Sequence, residues 1–464
     1  MRFARFHRSL RWALTSAVLT SPGACRKPAP DEVVNTARTA TPRPPVPPVG
    51  TGGTGATTTG SVGGAGGLGT GGQAGVGGSG GAGNDGSAGN GRGAGTSGDA
   101  TTPFSKAALL AAIADCAVSR YGEFREVAVA LDAAARAAAS SGDEVDVARL
   151  RDAWIAAMAR WQEVELFRFG PMARSGDPGG KDIRDQIYGW PLVNRCGIEE
   201  RIASRGYEAP DFGASLINVR GLAAFEYAAF YEPSDNACSQ FSTINAHGTW
   251  ATLGAGEIAR RKVGYTVAVG KDVLAHVDAL MDAWALSGGN FRAALLGAGA
   301  QSAIFASEQK ALNAVSDALF YIELEAKDWK LGRPLGLGDC TAPTCPEALE
   351  SLYARQSTAH LRHNLAGFRA LFQGCGAGND GLGFDDWLGA VGATDLADRM
   401  LAALGGAEAA VATLDPPLEQ ALAIDPSKVM AVYTAVKALT DLLKTEFVTV
   451  LNLELPKSTQ GDND

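Results

Sequence analysis

Apolar side chains recur at every third or fourth position along most of the chain, from Phe104 to about Pro456. This is the spacing of one face of an α-helix, and no stretch shows the alternation typical of a strand. Several periodic segments begin at Ser or Asp and stop at Gly or Pro, as capped helices do. The pattern predicts an all-α domain of two packed helical bundles, at residues 104–250 and 251–456, and it includes 346–374 among the helical segments.

The chain outside this domain has a different composition. Residues 1–25 combine arginines, the apolar stretch WALTSAVLT and small residues before Cys25, which predicts an export signal ending at a lipobox-like, lipidated cysteine. Plain secretion without a lipid is the alternative. Residues 26–103 are rich in Pro and then in Gly, so we expect a disordered linker, and a disordered tail at 457–464.

Charge and cysteine content narrow the function classes. A net charge of −9 and a pI of about 5.2 argue against a nucleic-acid partner. Without Cys25 six cysteines remain, an even number that favours disulfides in an exported protein. Cys340 and Cys345 flank a short loop, and Cys196 with Cys238 is the second candidate pair, by proximity in sequence. Free buried thiols are the alternative, and the absence of a CxxC pair disfavours zinc.

Candidate chemistry centres on Glu226, within the apolar segment VRGLAAFEYAAF. A buried carboxylate is costly unless it is paired, hydrogen-bonded or bound to a cation. Glu226 therefore pairs with an arginine, Arg168 or Arg220, or it binds a metal or ligand. Both interpretations stay open at this point.

Two further carboxylates have helical neighbours that bear on their role. Glu165 shares a helical face with Trp154 and Trp161, and Arg168 is three residues away. Asp272 and His276 are spaced i, i+4, which can place both on one ligand or on a solvated face. The pair His360 and His363 is more typical of a polar surface than of a metal site, and we expect tryptophans 154, 161 and 190 to be core residues.

Five segments together resemble the imelysin family. They are ELFRFGP (165–171), WP (190–191), RGLAAFEYAAF (220–230), KLGRPLG (330–336) and ESLYARQSTAHLRHNLAGFRALFQG (350–374), in this order. The resemblance covers essentially all of residues 104–456. It implies an exported bacterial protein, often a lipoprotein, built from two four-helix bundles and linked to iron acquisition. The family takes its name from a member described as a metallopeptidase.

The family signature is GxHxxE, whose His and Glu are the proposed metal ligands. This sequence matches it at Gly221 and Glu226, but Ala223 occupies the histidine position. The resemblance also places Glu165 and Asp272 where further acidic ligands are expected. Three carboxylates make an all-oxygen site, which suits iron or another hard cation better than zinc. With no HExxH helix either, no catalytic residue is assigned.

These observations favour a binding protein over an enzyme. We expect a protein held by its N-terminal lipid at the cell envelope, in the periplasm or on the outer membrane, that binds iron or an iron-related ligand or partner protein during iron uptake. A metal-dependent peptidase of imelysin type is the alternative. A scaffold with a vestigial site is a further one.

Overall fold

The structure, a computed structural model, describes residues 103–338, 340, 342–457 and 459, and the regular structure within these residues is helical. The all-α prediction is confirmed. The predicted signal peptide lies outside the described residues, as do the linker except for its last residue and nearly all of the tail. None of the described helices is both long enough and apolar enough to cross a membrane.

The α-helices are α1 Lys106–Ser141, α2 Glu144–Val164, α3 Ile183–Ile187, α4 Arg195–Ser204, α5 Gly221–Phe230, α6 Thr243–Ala246, α7 Thr249–Trp284, α8 Phe291–Leu296, α9 Glu308–Ser316, α10 Ser357–Gln373, α11 Phe384–Ala390, α12 Thr394–Ala412, α13 Leu418–Ile424, α14 Pro426–Leu442 and α15 Val448–Val450. A 3-10 turn at Asp317–Phe320 and π-helices at Ile322–Gly332 and Leu443–Phe447 continue two of these helices. Ser105, Asp143 and Ser307 cap α1, α2 and α9 through their side chains, as the sequence predicts.

The first bundle consists of α1, α2, α5 and α7. The expected boundary at residue 250 does not match this packing, because α7 lies against α1 and α5 and so belongs to the first bundle. Its apolar stripe, which includes Val269, Val273 and Val277, is buried there. The apolar period predicts a helix here but does not say which neighbour covers it.

The second bundle consists of the π-helix at 322–332 with α10, α12 and α14, and it joins the first where α10 packs against α2. The two helices approach closely at Gly367. A Cβ atom built at Gly367 would lie 2.5 Å from the carbonyl oxygen of Glu163, so a side chain does not fit in this crossing.

The sequence pattern predicted a helix over 346–374, but this segment is not one helix. Residues 346–348 form a single 3-10 turn, α10 begins only at Ser357, and residues 349–356 form a loop that packs on α5. Backbone N–H groups of the loop donate hydrogen bonds to a buried carboxylate of α5. These tertiary bonds replace the hydrogen bonds that a helix would make here.

Three disulfides connect the described residues. Cys196–Cys238 and Cys340–Cys345 are the two pairs that the sequence suggested, and Cys116–Cys375 is the third. The third bond ties α1 to the end of α10 across 259 residues and thereby links the two bundles covalently.

Candidate functional site

The signature segment begins where the backbone requires a glycine. Gly221 has φ of 79°, and a Cβ atom there would lie 2.7 Å from the carbonyl oxygen of Ile187. An isolated antiparallel bridge to Tyr188 holds this contact. Gly221 therefore sets the position of α5 against the segment after α3.

Glu226 is buried with 4% of its surface exposed, and one oxygen takes three hydrogen bonds. Its Oε1 accepts from the hydroxyl of Ser351 at 3.0 Å and from the backbone N–H groups of Tyr353 at 3.0 Å and Ala354 at 2.8 Å. Burial raises its pKa to about 7, although these three bonds lower it; Glu350 raises it further. The predicted arginine pairing is wrong: Arg168 pairs with Glu325, and Arg220 with Asp272.

Glu165 follows the last residue of α2 and is fully buried. Its Oε1 accepts a hydrogen bond from Nε of Arg184 at 2.8 Å, and its Oε2 accepts one from the hydroxyl of Tyr321 at 2.9 Å. Burial and the field of Glu165 hold the pKa of Tyr321 well above its ordinary value, so its phenol stays a donor. Glu165 is thus paired by a residue far outside its own helix rather than by Arg168.

A third carboxylate, Glu350, gathers the largest set of partners. Its Oε1 lies 2.9 Å from Nζ of Lys330 and accepts from Tyr188 at 2.7 Å and Gln162 at 2.8 Å. Its Oε2 lies 3.1 Å from Nδ1 of His360. Burial by itself would raise the pKa of Glu350, but Lys330 and His360 outweigh it and hold the pKa below its ordinary value.

These three carboxylates belong to one region, which we name the polar cluster. Burial and then the fields of Glu350, Glu165 and Glu226 raise the pKa of Tyr188, so all three acids act on its hydroxyl. No member is more than 6% exposed. The members are Gln162, Glu165, Arg184, Tyr188, Glu226, Tyr321, Lys330, Glu350, His360 and Asn364. Asn364 completes the cluster, because its Oδ1 accepts from Lys330 at 2.8 Å.

Asp272 is held in a separate group on α7. Its Oδ2 accepts from Arg220 Nη1 at 3.1 Å, and its Oδ1 lies 3.5 Å from Nε2 of His276. Arg220 also donates to the carbonyl oxygen of Ser215 at 2.8 Å. Asp272 therefore stands apart from the cluster that contains Glu165 and Glu226, and these two carboxylates share no hydrogen-bond donor.

The predicted ligands do not converge on one point. Among the described residues, Cys196, Glu200 and Cys238 are the only three potential metal ligands within 4.8 Å of one another, and both cysteines are in a disulfide. A joint role of Glu165, Glu226 and Asp272 in metal binding stays a prediction, and it would require these carboxylates to leave their present bonds.

A cleft of about 920 Å³ borders the polar cluster. Tyr321 and the ion pair of Arg168 with Glu325 form the wall nearest the cluster. Phe305 and Phe320 add apolar surface, and the 3-10 turn and the start of the π-helix line one side. Wide helical turns are frequent at functional sites. Since Tyr321 also donates to Glu165, a ligand in this cleft would reach the cluster through that phenol.

Several cluster residues were not identified from the sequence. Lys330 and Glu350 lie in segments that carried the family resemblance, and a charged residue among apolar neighbours is the signal that was available. Arg184 is in a short helix with no apolar period. His360 is buried at 2% exposure, contrary to the expected polar surface, while His363 stays partly exposed and lies 2.9 Å from Glu163. Trp154, Trp161 and Trp190 are core residues, as expected.

Comparison with known proteins gives a consistent result. The family model described as Imelysin matches residues 117–445. A provisionally named iron-regulated protein A precursor from Parabacteroides distasonis ATCC 8503 aligns with TM-score 0.56 and 17% identity, over 76% of this chain and 96% of that one. An imelysin-like protein from Psychrobacter arcticum 273-4 aligns with TM-score 0.55 and 16% identity, over 76% and 98%. No curated protein matches.

Proposed function

The chain belongs to the imelysin family, and we propose that it is an exported, lipid-anchored protein of the cell envelope that binds iron or an iron-bearing ligand during uptake. The export signal and the lipidated Cys25 that the sequence predicts support the location. One structure with this fold carries the name of an iron-regulated protein, which supports the link to iron. A partner protein of the uptake system would receive the ligand.

The observation that carries this proposal is the polar cluster beside an open cleft. Three carboxylates of the cluster, Glu165, Glu226 and Glu350, and Glu325 on the cleft wall are buried near the bases Arg168, Arg184 and Lys330 and near His360. Buried charges are expensive, and carboxylates next to a cleft are suited to a ligand that brings positive charge. Oxygen donors favour hard ions such as ferric iron.

The cleft favours iron that arrives with its own chelator. The cluster carboxylates are already hydrogen-bonded and do not form a ready set of three ligands for a bare ion. The cleft volume of about 920 Å³ lies in the range of small-molecule sites, and its wall contains both acidic and basic side chains. A ferric complex of a small organic acid would fit such a space, with its carboxylates towards the basic side chains of the wall and its iron towards Glu325 and Tyr321, the latter bonded to Glu165.

The peptidase alternative needs a metal-bound water and a base. Ala223 removes the imidazole that the signature supplies, and His360 faces Glu350 rather than taking part in a group of three ligands. We expect the purified protein to leave casein intact with and without added zinc. Metal-dependent cleavage that Glu226→Gln abolishes would establish the peptidase instead.

Titration calorimetry with ferric citrate, ferrous sulfate and zinc sulfate tests the binding proposal. We expect ferric citrate to bind wild-type protein, with affinity lowered at least about tenfold in Glu165→Gln. Asp398→Asn, which removes an exposed carboxylate elsewhere, is the matched control. Circular dichroism confirms that each variant is folded, and Glu226→Gln is the second variant. Equal heats for all proteins, or no binding of either form of iron, would refute the proposal.

A further inference from the structure

A second and smaller pocket lies on the other side of the loop at 349–356. It has a volume of about 420 Å³, and we name it the outer pocket. Leu352, Tyr353 and Arg355 of the loop form one wall, and Phe230 and Tyr231 at the end of α5 contribute to the other. The loop therefore has two faces: its backbone holds Glu226 on one, and its side chains line this pocket on the other.

Three of the eight residues that line the outer pocket are aromatic. The rings of Tyr231 and Tyr353 meet edge to face, with centroids 5.3 Å apart and an interplanar angle of 67°. Phe230 is half-buried beside them and packs edge-on against Trp154. Aromatic rings set at steep angles favour a flat ligand ring, because it can stack on one ring and present its edge to another.

The charges around the pocket leave one cation unmatched. Arg195 is paired with Glu199 at 2.7 Å and Asp235 at 2.9 Å, and Glu232 is paired with Arg151 at 3.1 Å. Within the described part of the chain, the guanidinium of Arg355 makes no ion pair or hydrogen bond, and the same holds for the hydroxyl of Tyr353.

Arg355 is also held in an uncommon backbone conformation. Its φ is 56°, in the left-handed region that favours glycine, and its N–H donates to the carbonyl oxygen of Ser351 at 2.9 Å. A residue with a Cβ is costly there, and such outliers cluster at ligand sites. A glycine would suit the backbone better, so the backbone does not explain the arginine side chain.

We propose that the outer pocket binds a planar aromatic acid. Its ring packs against Tyr353 and Phe230, and its carboxylate pairs with the guanidinium of Arg355. The site is separate from the cleft and needs no iron, so it extends the proposed function rather than depending on it. Because Tyr353 also donates its N–H to Glu226, a ligand here contacts the loop that borders the polar cluster.

Calorimetry with benzoate, 2,3-dihydroxybenzoate and cyclohexanecarboxylate tests this site on the purified protein without iron. We expect both aromatic acids to bind and the non-planar acid to bind at least about tenfold more weakly. Arg355→Gln should lower the affinity for benzoate by about tenfold or more, since a charged hydrogen bond is lost. Arg362→Gln, an exposed arginine on α10, is the matched control and should bind as wild type does.

Arg355→Gly is the second variant, because it removes the guanidinium and suits the backbone, so that loss of binding cannot be attributed to misfolding. The proposal is overturned if benzoate does not bind at about 10 mM, if cyclohexanecarboxylate binds as tightly as benzoate, or if both Arg355 variants bind as wild type does. None of these outcomes bears on ferric citrate, which is measured separately.

Discussion

The carboxylate of Glu226 accepts a hydrogen bond of 2.8 Å from the backbone N–H of Ala354, 128 residues further along the chain. The bond joins α5 of the first bundle to the loop that precedes α10 of the second. Glu226 therefore links the two halves through backbone N–H groups, and its charge state is coupled to the stability of this link.

The pKa of Glu226 predicts a pH dependence of stability. The pKa is about 7 in the folded protein against an ordinary value of 4.5, so the folded state holds the proton more tightly. Stability is then greatest below about pH 4.5 for this group and falls as the pH rises through about 7. Between about pH 5 and pH 8 we expect wild-type protein to lose about 2–3 kcal/mol relative to Glu226→Gln.

Urea unfolding of both proteins at several pH values measures this difference. Because every other titrating group is common to the two proteins, their difference isolates Glu226. Parallel stability profiles for wild type and Glu226→Gln would show that burial does not raise the pKa of this carboxyl.

Glu165 compensates the buried charge of Arg184. Glu165→Gln leaves that guanidinium only the partly exposed Asp185, 3.0 Å away, as a negative partner, and we expect the free energy of unfolding to fall by about 3 kcal/mol. Glu446→Gln breaks an exposed ion pair with Arg399 and should cost no more than about 1 kcal/mol. Guanidinium chloride unfolding measures both variants. Equal losses of free energy of unfolding would mean that the buried ion pair contributes no more to stability than the exposed one.

The disulfide between Cys116 and Cys375 spans most of the folded domain. Replacing both cysteines with alanine should lower the free energy of unfolding by about 2–5 kcal/mol, because the unfolded chain gains freedom over a long loop. Removing Cys340–Cys345, which closes only a short loop, should cost less. Thermal unfolding of the two double variants under the same conditions ranks them, and the reverse order would contradict the argument.

Gly367 determines how closely α10 approaches α2. Gly367→Ala adds a methyl group where the carbonyl oxygen of Glu163 already lies, so we expect a loss of about 1–3 kcal/mol or more. Gly405→Ala on α12 is the control, since a Cβ atom there meets nothing within 4 Å and alanine is the better helix former. Should Gly367→Ala unfold at the wild-type denaturant concentration, the crossing must have room that the structure does not show.

The class of fold could be predicted from the sequence because the signals for a helix are local. The apolar period and the caps depend on residues three or four positions apart. They correctly predicted helices such as α1 and α2. Which helices share a bundle depends on distant contacts. Two predictions failed because they depend on such distant contacts: the assignment of α7 to the second bundle and the helix over residues 349–356.

The site was predicted only in part for the same reason. Glu226 and Glu165 stood out as acids in apolar surroundings, and both are buried. Their partners could not be found by helical spacing, because Arg184 and Ser351 lie on other elements. Arg168 and Arg220, the partners that sequence proximity suggested, are occupied by Glu325 and Asp272.

The polar cluster also bears on how the chain folds. Its bonds join residues far apart: Glu226 to Ser351 over 125 positions, and Gln162 to Glu350 over 188. Contacts of such long range form slowly, since the entropy of closing a large loop is lost before the contacts contribute any stability. Each bundle can collapse on its own apolar faces, but the cluster is complete only after both have docked, so we expect its assembly among the last steps of folding.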